Sequence, residues 1–297
     1  MRSTLLQHLA PNLRTLLEPL RTWELIEEIR LRINQPLLIK ERGLEYGVNR
    51  MGICRVHESY CVTMEDLTRS FEIMTDNSWY ALEDEIRSGY LTLSGGHRVG
   101  ISGKVVLERG YIKTLKYING LNIRLARAVP GAADPVMRQI LRGDRIVSTL
   151  IISPPGCGKT TLLRDICRQL SNRGFNVVVI DERSEIAACH RGIPQLDIGE
   201  STYVIDSCPK AQGISMVLRG LAPDVIITDE IGHPDDGTAL ADAIRAGVEV
   251  ISSCHGADWD SVQQRTWMQY GRAAFAQAVF LSRRCGPGTV EQVLKLD

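Results

Sequence analysis

Residues 153–160 read Ser153-Pro154-Pro155-Gly156-Cys157-Gly158-Lys159-Thr160, with Thr161 behind them. A glycine-bearing turn running into Lys-Thr is what a nucleotide's phosphates require. Successive backbone N–H groups at a helix N-terminus present partial positive charge, and Gly156 and Gly158 let the backbone come close. Lys159 supplies a full charge to the β and γ oxygens, and Thr160 places a hydroxyl on Mg²⁺. Ser153 stands where such a loop opens with glycine. If that position needs a positive φ, its Cβ costs roughly 1–2 kcal/mol, and weakened rather than abolished binding is expected. Cys157, inside the loop, sits where a thiol's pKa falls, so alkylation is expected to inactivate the protein and nucleotide to protect it. The plain alternative is an ordinary loop cysteine.

Seventy residues beyond Lys159, the apolar run Val225-Ile226-Ile227-Thr228 ends in Asp229-Glu230. Asp229 can hold a Mg²⁺ shell through water, and Glu230 can polarise an attacking water. That second carboxylate suits a hydrolase, whereas a kinase must exclude water. Another apolar run ends in Asp181-Glu182-Arg183-Ser184-Glu185. Glu182 is therefore a second candidate for orienting water, although such a run also reads as a solvated loop. His255 follows the run 248–254, where it serves either as a γ-phosphate sensor or as a structural hydrogen-bonding group.

These groups need elements that bring them to one edge. From residue 146 onward strands and helices alternate: strand 146–152, helix 159–170, strand 176–181, helix 210–221, strand 224–229, helix 235–246 and strand 248–254. Near-continuous Val/Ile strands alternating with helices predict an α/β fold, a parallel sheet buried on both faces, in a RecA-like P-loop ATPase core. The preceding half predicts a smaller mixed α+β domain. Leucines at helical spacing in residues 1–20 give a docking or capping helix, kinked or split at Pro11, and short strands joined by turns fill 22–60. Thr63 with Asp66 opens a helix through Met74, and 79–87 gives a second. Antiparallel strands follow at 90–93, 98–107, 111–117 and 121–127. The predicted boundaries are 1–128 for the N-terminal domain, 129–145 for a linker with a connecting helix, and 146–297 for the ATPase domain.

The 297 residues carry 35 Lys and Arg against 35 Asp and Glu, with 44% hydrophobic and 24% charged residues. That composition excludes wholesale disorder and gives no strongly basic nucleic-acid binder. No stretch is long and apolar enough to span a membrane. Eight scattered cysteines show no metal-binding spacing and read as reduced, cytosolic thiols. Neutrality hides a division: residues 1–130 have 18 basic and 15 acidic residues, and 131–297 have 17 and 20. The excess lies in 87–127, where eight Lys or Arg face Glu108 alone.

Taken together, 154–165 (Pro-Pro-Gly-Cys-Gly-Lys-Thr-Thr-Leu-Leu-Arg-Asp), 181–187, Arg191-Gly192-Ile193-Pro194-Gln195, Asp229-Glu230-Ile231-Gly232, 95–100, 122–127 and 281–291 resemble the stage III sporulation protein AA family. The family is similar to type II and type IV secretion ATPases. The resemblance implies an ATP- and Mg²⁺-dependent motor, a homohexamer, working in the mother-cell cytoplasm at the periphery of a membrane complex. Its partners would be membrane-embedded channel or secretion proteins linking mother cell and forespore, with no stable nucleic-acid partner.

By motif, the resemblance assigns Gly156–Thr161 to the phosphate loop and Asp181 and Glu182 to an acidic box. It assigns Asp229 and Glu230 to the Mg²⁺ and water pair, and His255 to a histidine box. Arg124 and Arg127, with Arg98 behind them, become candidates to reach the phosphates. Ser201 stands where the family has a basic residue, which leaves Arg183 or Arg191 to substitute and turnover slow. Two alternatives remain. One is a nucleic-acid-dependent motor, with Tyr90, His97, Tyr111 and Tyr117 as stacking groups among the basic residues. The other is a nucleotide-binding scaffold with little turnover.

Overall fold

The computed structural model describes residues 2–76 and 83–296. The chain divides into two compact units, Met1–Ala126 and Arg127–Asp297.

In the first unit, helices α1 (Arg2–Gln7) and α2 (Pro11–Leu17) are separated at Pro11, which opens the second. Leu5, Leu9, Leu13 and Leu17 from these helices are fully buried. Strands β1 (Ile26–Arg32), β2 (Leu38–Glu41), β3 (Leu44–Asn49), β4 (Gly52–Cys54), β5 (Tyr90–Thr92), β6 (Arg98–Glu108) and β7 (Tyr111–Arg124) form one sheet, ordered β4-β3-β2-β1-β7-β6-β5. Every neighbouring pair is antiparallel. Helix α3 (Met64–Met74) starts at Thr63, whose Oγ1 accepts from Asp66 N (3.1 Å) while Asp66 Oδ2 accepts from Thr63 N (3.0 Å). This reciprocal cap is worth about 1 kcal/mol. Helix α4 spans Glu83–Arg87; the part of the predicted second helix before it, including Trp79, lies outside the described residues.

The two strands expected at 111–117 and 121–127 are one strand, β7. A register shift between Ser102 and Lys104 absorbs residues 117–119, where Tyr117 takes a left-handed φ of 50°. Of the four expected stacking groups, Tyr111 and Tyr117 are exposed on β7, and the other two are not. His97 is fully buried, and the Arg98 guanidinium lies 3.7 Å from the Tyr90 ring centre, covering it.

The second unit begins with α5 (Asp134–Ile140) and a hairpin of β8 (Leu141–Arg142) and β9 (Arg145–Ile146). That hairpin is why the first core strand, β10 (Thr149–Ser153), starts three residues later than its apolar run predicts. There follow α6 (Lys159–Ser171), β11 (Val177–Asp181), β12 (Thr202–Asp206), α7 (Lys210–Gly220) and β13 (Val225–Glu230). Next come α8 (Pro234–Arg245), β14 (Glu249–His255), α9 (Trp259–Gln263), α10 (Met268–Gly271), β15 (Gln277–Ser282) and β16 (Thr289–Lys295). The sheet order is β12-β11-β13-β14-β10-β15-β16, parallel except for β16 at one edge.

The five residues of β10 and of β11 are all buried, as a sheet covered on both faces requires. Two cores flank it: one joins α5 and α6 to the sheet, the other α7, α8 and Trp267. Because all six parallel strands point the same way, β10, β11, β13 and β14 deliver their C-terminal residues to a single edge. Among the described residues no helix is long and apolar enough to cross a membrane.

Candidate active site

Beyond β10 the chain enters the loop 154–158 and turns into α6. Gly156 (φ 73°) and Gly158 (φ 87°) both take left-handed backbone that a side chain would strain. A Cβ on Gly158 would also stand 3.1 Å from Gly288 N. Pro154 and Pro155 are exposed at the loop's turn, and Thr160 and Thr161 are half-buried in the first turn of α6. That turn carries no acidic residue, which leaves its N–H groups to an outside anion.

Ser153 corrects the expectation of strain. It closes β10 in register with His255, has no positive φ, and its hydroxyl donates to Pro154 O (2.9 Å). Its Cβ therefore costs nothing in backbone energy. The Cys157 thiol is buried in the loop, with Sγ 3.9 Å from Pro155 O.

The Lys159 amine lies folded across the loop. It donates to Ser153 O (3.2 Å) and Ser153 Oγ (3.4 Å), lies 3.5 Å from Pro154 O, and reaches His255 Nδ1 at 2.9 Å. An ammonium only donates, so His255 Nδ1 accepts and the ring proton sits on Nε2. Nε2 in turn lies 2.7 Å from Glu230 Oε1. Burial pushes the Lys159 amine below its ordinary pKa, and the Glu230 carboxylate opposes that fall without cancelling it. Three of the expected residues, from the loop, β13 and β14, thus form one chain of hydrogen bonds.

The other expected acids sit at the ends of β11 and β13. Asp181 faces inward and fastens a turn. Its Oδ1 accepts from Glu185 N (2.8 Å), and its Oδ2 from Ile186 N (2.9 Å) and Ala187 N (2.8 Å). Burial, with the charges of Asp229 and Asp206 behind it, still pushes Asp181 up to about 6 against those bonds. Glu182, one residue further, points out and pairs with the Lys210 amine. Asp229 is buried, and its Oδ1 lies 3.4 Å from Lys210 Nζ, in ion-pair range but outside hydrogen-bond geometry. Burial raises the Asp229 pKa, Glu185 adding to the rise and Lys210 opposing it. A buried carboxylate oxygen that no hydrogen bond satisfies, on the edge beside a phosphate loop, fits a hydrated Mg²⁺ held by one carboxylate and phosphates.

Arg124 is mostly exposed on β7, with Nε 4.0 Å from Glu28 Oε1, and belongs to the first unit. Arg127 opens the second unit, where its carbonyl accepts from Arg164 Nη1 (3.1 Å). Arg183 and Arg191 are exposed. Ser201 donates its backbone N–H to Ser171 Oγ (2.7 Å) at the entry to β12.

Two residues were not anticipated from sequence. Lys210 gave no motif; the only signal was a cation at the start of a helix, where acids are favoured. Arg283 comes from the turn between β15 and β16, which bonds to the phosphate loop through Gly288 N to Cys157 O (2.8 Å). Its Nη1 would lie 3.5 Å from a Cβ on Gly156, so its guanidinium lies against the loop.

This largely parallel sheet, covered by helices on both faces, fits an α/β ATPase fold. Two solved structures share it: the ATPase DotB of Legionella pneumophila (TM-score 0.56, 15% identity, 86% of this chain and 72% of that one) and the ADP-bound pilus retraction motor PilT (TM-score 0.58, 14% identity, 86% and 74%). At such identities the likeness is one of fold. The family described as "Sporulation stage III, protein AA" matches residues 1–296, and the chain belongs to it. The Stage III sporulation protein AA of Bacillus subtilis (strain 168) is 42% identical over 286 residues, covering 94% of this chain and 90% of that protein. An uncharacterized protein ycf45 of Porphyra purpurea is 33% identical over 166 residues, 55% of this chain and 29% of its own length.

Proposed function

We propose that the second unit binds and hydrolyses ATP with Mg²⁺, as the motor of a sporulation-stage assembly. The observation that carries this reading is the hydrogen-bonded chain Lys159–His255–Glu230, which links the phosphate loop to a carboxylate suited to activating water.

In this reading the N–H groups of 156–161 and the Lys159 amine bind the β and γ phosphates. Because Lys159 is held only by neutral acceptors, turning toward the phosphates breaks no ion pair of its own. Thr160 and Asp229 would hold Mg²⁺, which would draw charge from the phosphate oxygens. Glu230 orients the attacking water and accepts its proton. His255 holds the Glu230 carboxylate in place while donating from Nε2, and senses through Nδ1 whether Lys159 is engaged with phosphate. Glu182 stands as a second carboxylate near this edge.

Arg124 and Arg127 are the candidate arginines for the γ-phosphate, and an arginine acting there is worth about 10³–10⁵ in rate. The protein would work as a homohexamer in the mother-cell cytoplasm, docked on a membrane-embedded channel that opens toward the forespore. The test is steady-state phosphate release with Mg²⁺ and ATP. Glu230→Gln should slow it at least 100-fold while ADP affinity stays within about threefold. Equal rates for the two proteins would leave a nucleotide-binding scaffold in place of a motor.

A further inference from the structure

Lys210 opens α7 against local physics. A helix N-terminus carries partial positive charge and favours acids, as the first turn of α8 does with Asp235 and Asp236. The first turn of α7 has no acid and begins with a lysine, which is also buried to 5% exposure. Burying an ammonium is expensive unless it is paired. The pairing comes from two different strands: Glu182, just past β11, and Asp229, in β13. Burial by itself pushes the Lys210 amine down, but the bond to Glu182 and the charges of Asp229 and Asp236 outweigh it, and the amine stays charged. α7 can come this close because Gly213 lacks a side chain; a Cβ there would stand 2.7 Å from Ile180 Cγ2 of β11. A residue that violates its helix's preference and is compensated only by site residues is the pattern of a functional position.

We infer that Lys210 is a positioning residue that ties Glu182 to Asp229 and whose fixed positive charge sets how much Mg²⁺ the nucleotide site demands. The inference rests on the nucleotide reading above for the identity of the ligand. Lys210 neutralises part of the carboxylate charge that would otherwise attract a divalent cation, so removing it makes the cluster a stronger Mg²⁺ site while letting Glu182 swing free. Removing the Glu182 charge does the reverse, because Lys210 is then left to Asp229 alone.

The test uses the full chain and a fluorescent ADP analogue, titrated with Mg²⁺. In Lys210→Met the Mg²⁺ midpoint should fall about tenfold, equivalent to about 1.4 kcal/mol, with Mg²⁺-free affinity within about threefold of wild type. Lys210→Arg should bring the midpoint back toward wild type, and Glu182→Gln should raise it. In phosphate release, the Lys210→Met/Glu182→Gln double variant should be no more than about twofold slower than the slower single variant, because both remove the same tie. Should Lys210→Met fail to fold, the Glu182→Gln midpoint still decides. Unchanged midpoints, or losses that simply multiply in the double variant, would overturn the inference and leave Lys210 as a structural ion pair. A wild-type protein that binds no analogue at any Mg²⁺ concentration would instead sink the nucleotide reading itself.

Discussion

Two buried lysines of the second unit sit in opposite electrostatic settings. Lys159, in the phosphate loop, is held by carbonyls, a hydroxyl and a neutral histidine nitrogen, and its pKa is lowered by burial. Lys210, at the acidic edge, is held by two carboxylates, and its pKa is raised despite burial. Similar exclusion from water therefore gives opposite outcomes. Among the described residues the first amine makes no ion pair and feels the Glu230 carboxylate only at a distance, whereas the second is paired with Glu182 and Asp229. The partners of each amine, not the degree of burial, tell the two lysines apart.

The larger way to sharpen this contrast is alkaline stability without nucleotide. A lysine with a lowered folded pKa carries its penalty at neutral pH and sheds it as pH rises toward the unfolded value near 10.5, so Lys159 makes the fold gain stability over that range. A lysine with a raised folded pKa contributes fully below 10.5 and loses that contribution above it, so Lys210 acts in the opposite sense. Denaturant melts of wild type, Lys159→Met and Lys210→Met at pH 7–11 should therefore give difference curves of opposite slope. Differences are needed because Cys167 and Cys189, each pushed up to about 12 by burial, lower stability above pH 9 in all three proteins. Parallel difference curves would break the contrast.

A smaller effect concerns the loop's first residue. Since Ser153 sits in extended strand backbone, Ser153→Gly should leave ADP affinity within about threefold, and calorimetric titration checks this. A clear tightening would show strain at that position after all.

Much of the site was legible because strands of a parallel sheet announce their ends: an apolar run followed by Asp229-Glu230, Asp181-Glu182 or His255 marks one edge whatever the rest of the chain does. The loop was legible from its glycines, both of which need left-handed backbone. The Lys159–His255–Glu230 chain was not, since residues 96 apart in sequence meet only through the pairing of β10 with β14. Lys210 was invisible for a related reason: its meaning lies in Glu182 and Asp229, which reach it from separate strands. In the fold, edge strands β12 and β16 escaped because they lack a continuous apolar run, and the interior strand β15 was missed although Ala278-Val279-Phe280-Leu281 is apolar. Residues 118–120 separate two predicted strands, although the sheet carries 117–119 as an irregularity inside β7.

The most direct measurement of the central contrast is ADP affinity, without Mg²⁺, of wild type, Lys159→Met and Lys210→Met under identical conditions. Lys159→Met should lose about 100-fold or more, because an uncompensated charge–phosphate contact disappears, while Lys210→Met should stay within about threefold. Equal losses in both variants, or a larger loss in Lys210→Met, would contradict that contrast.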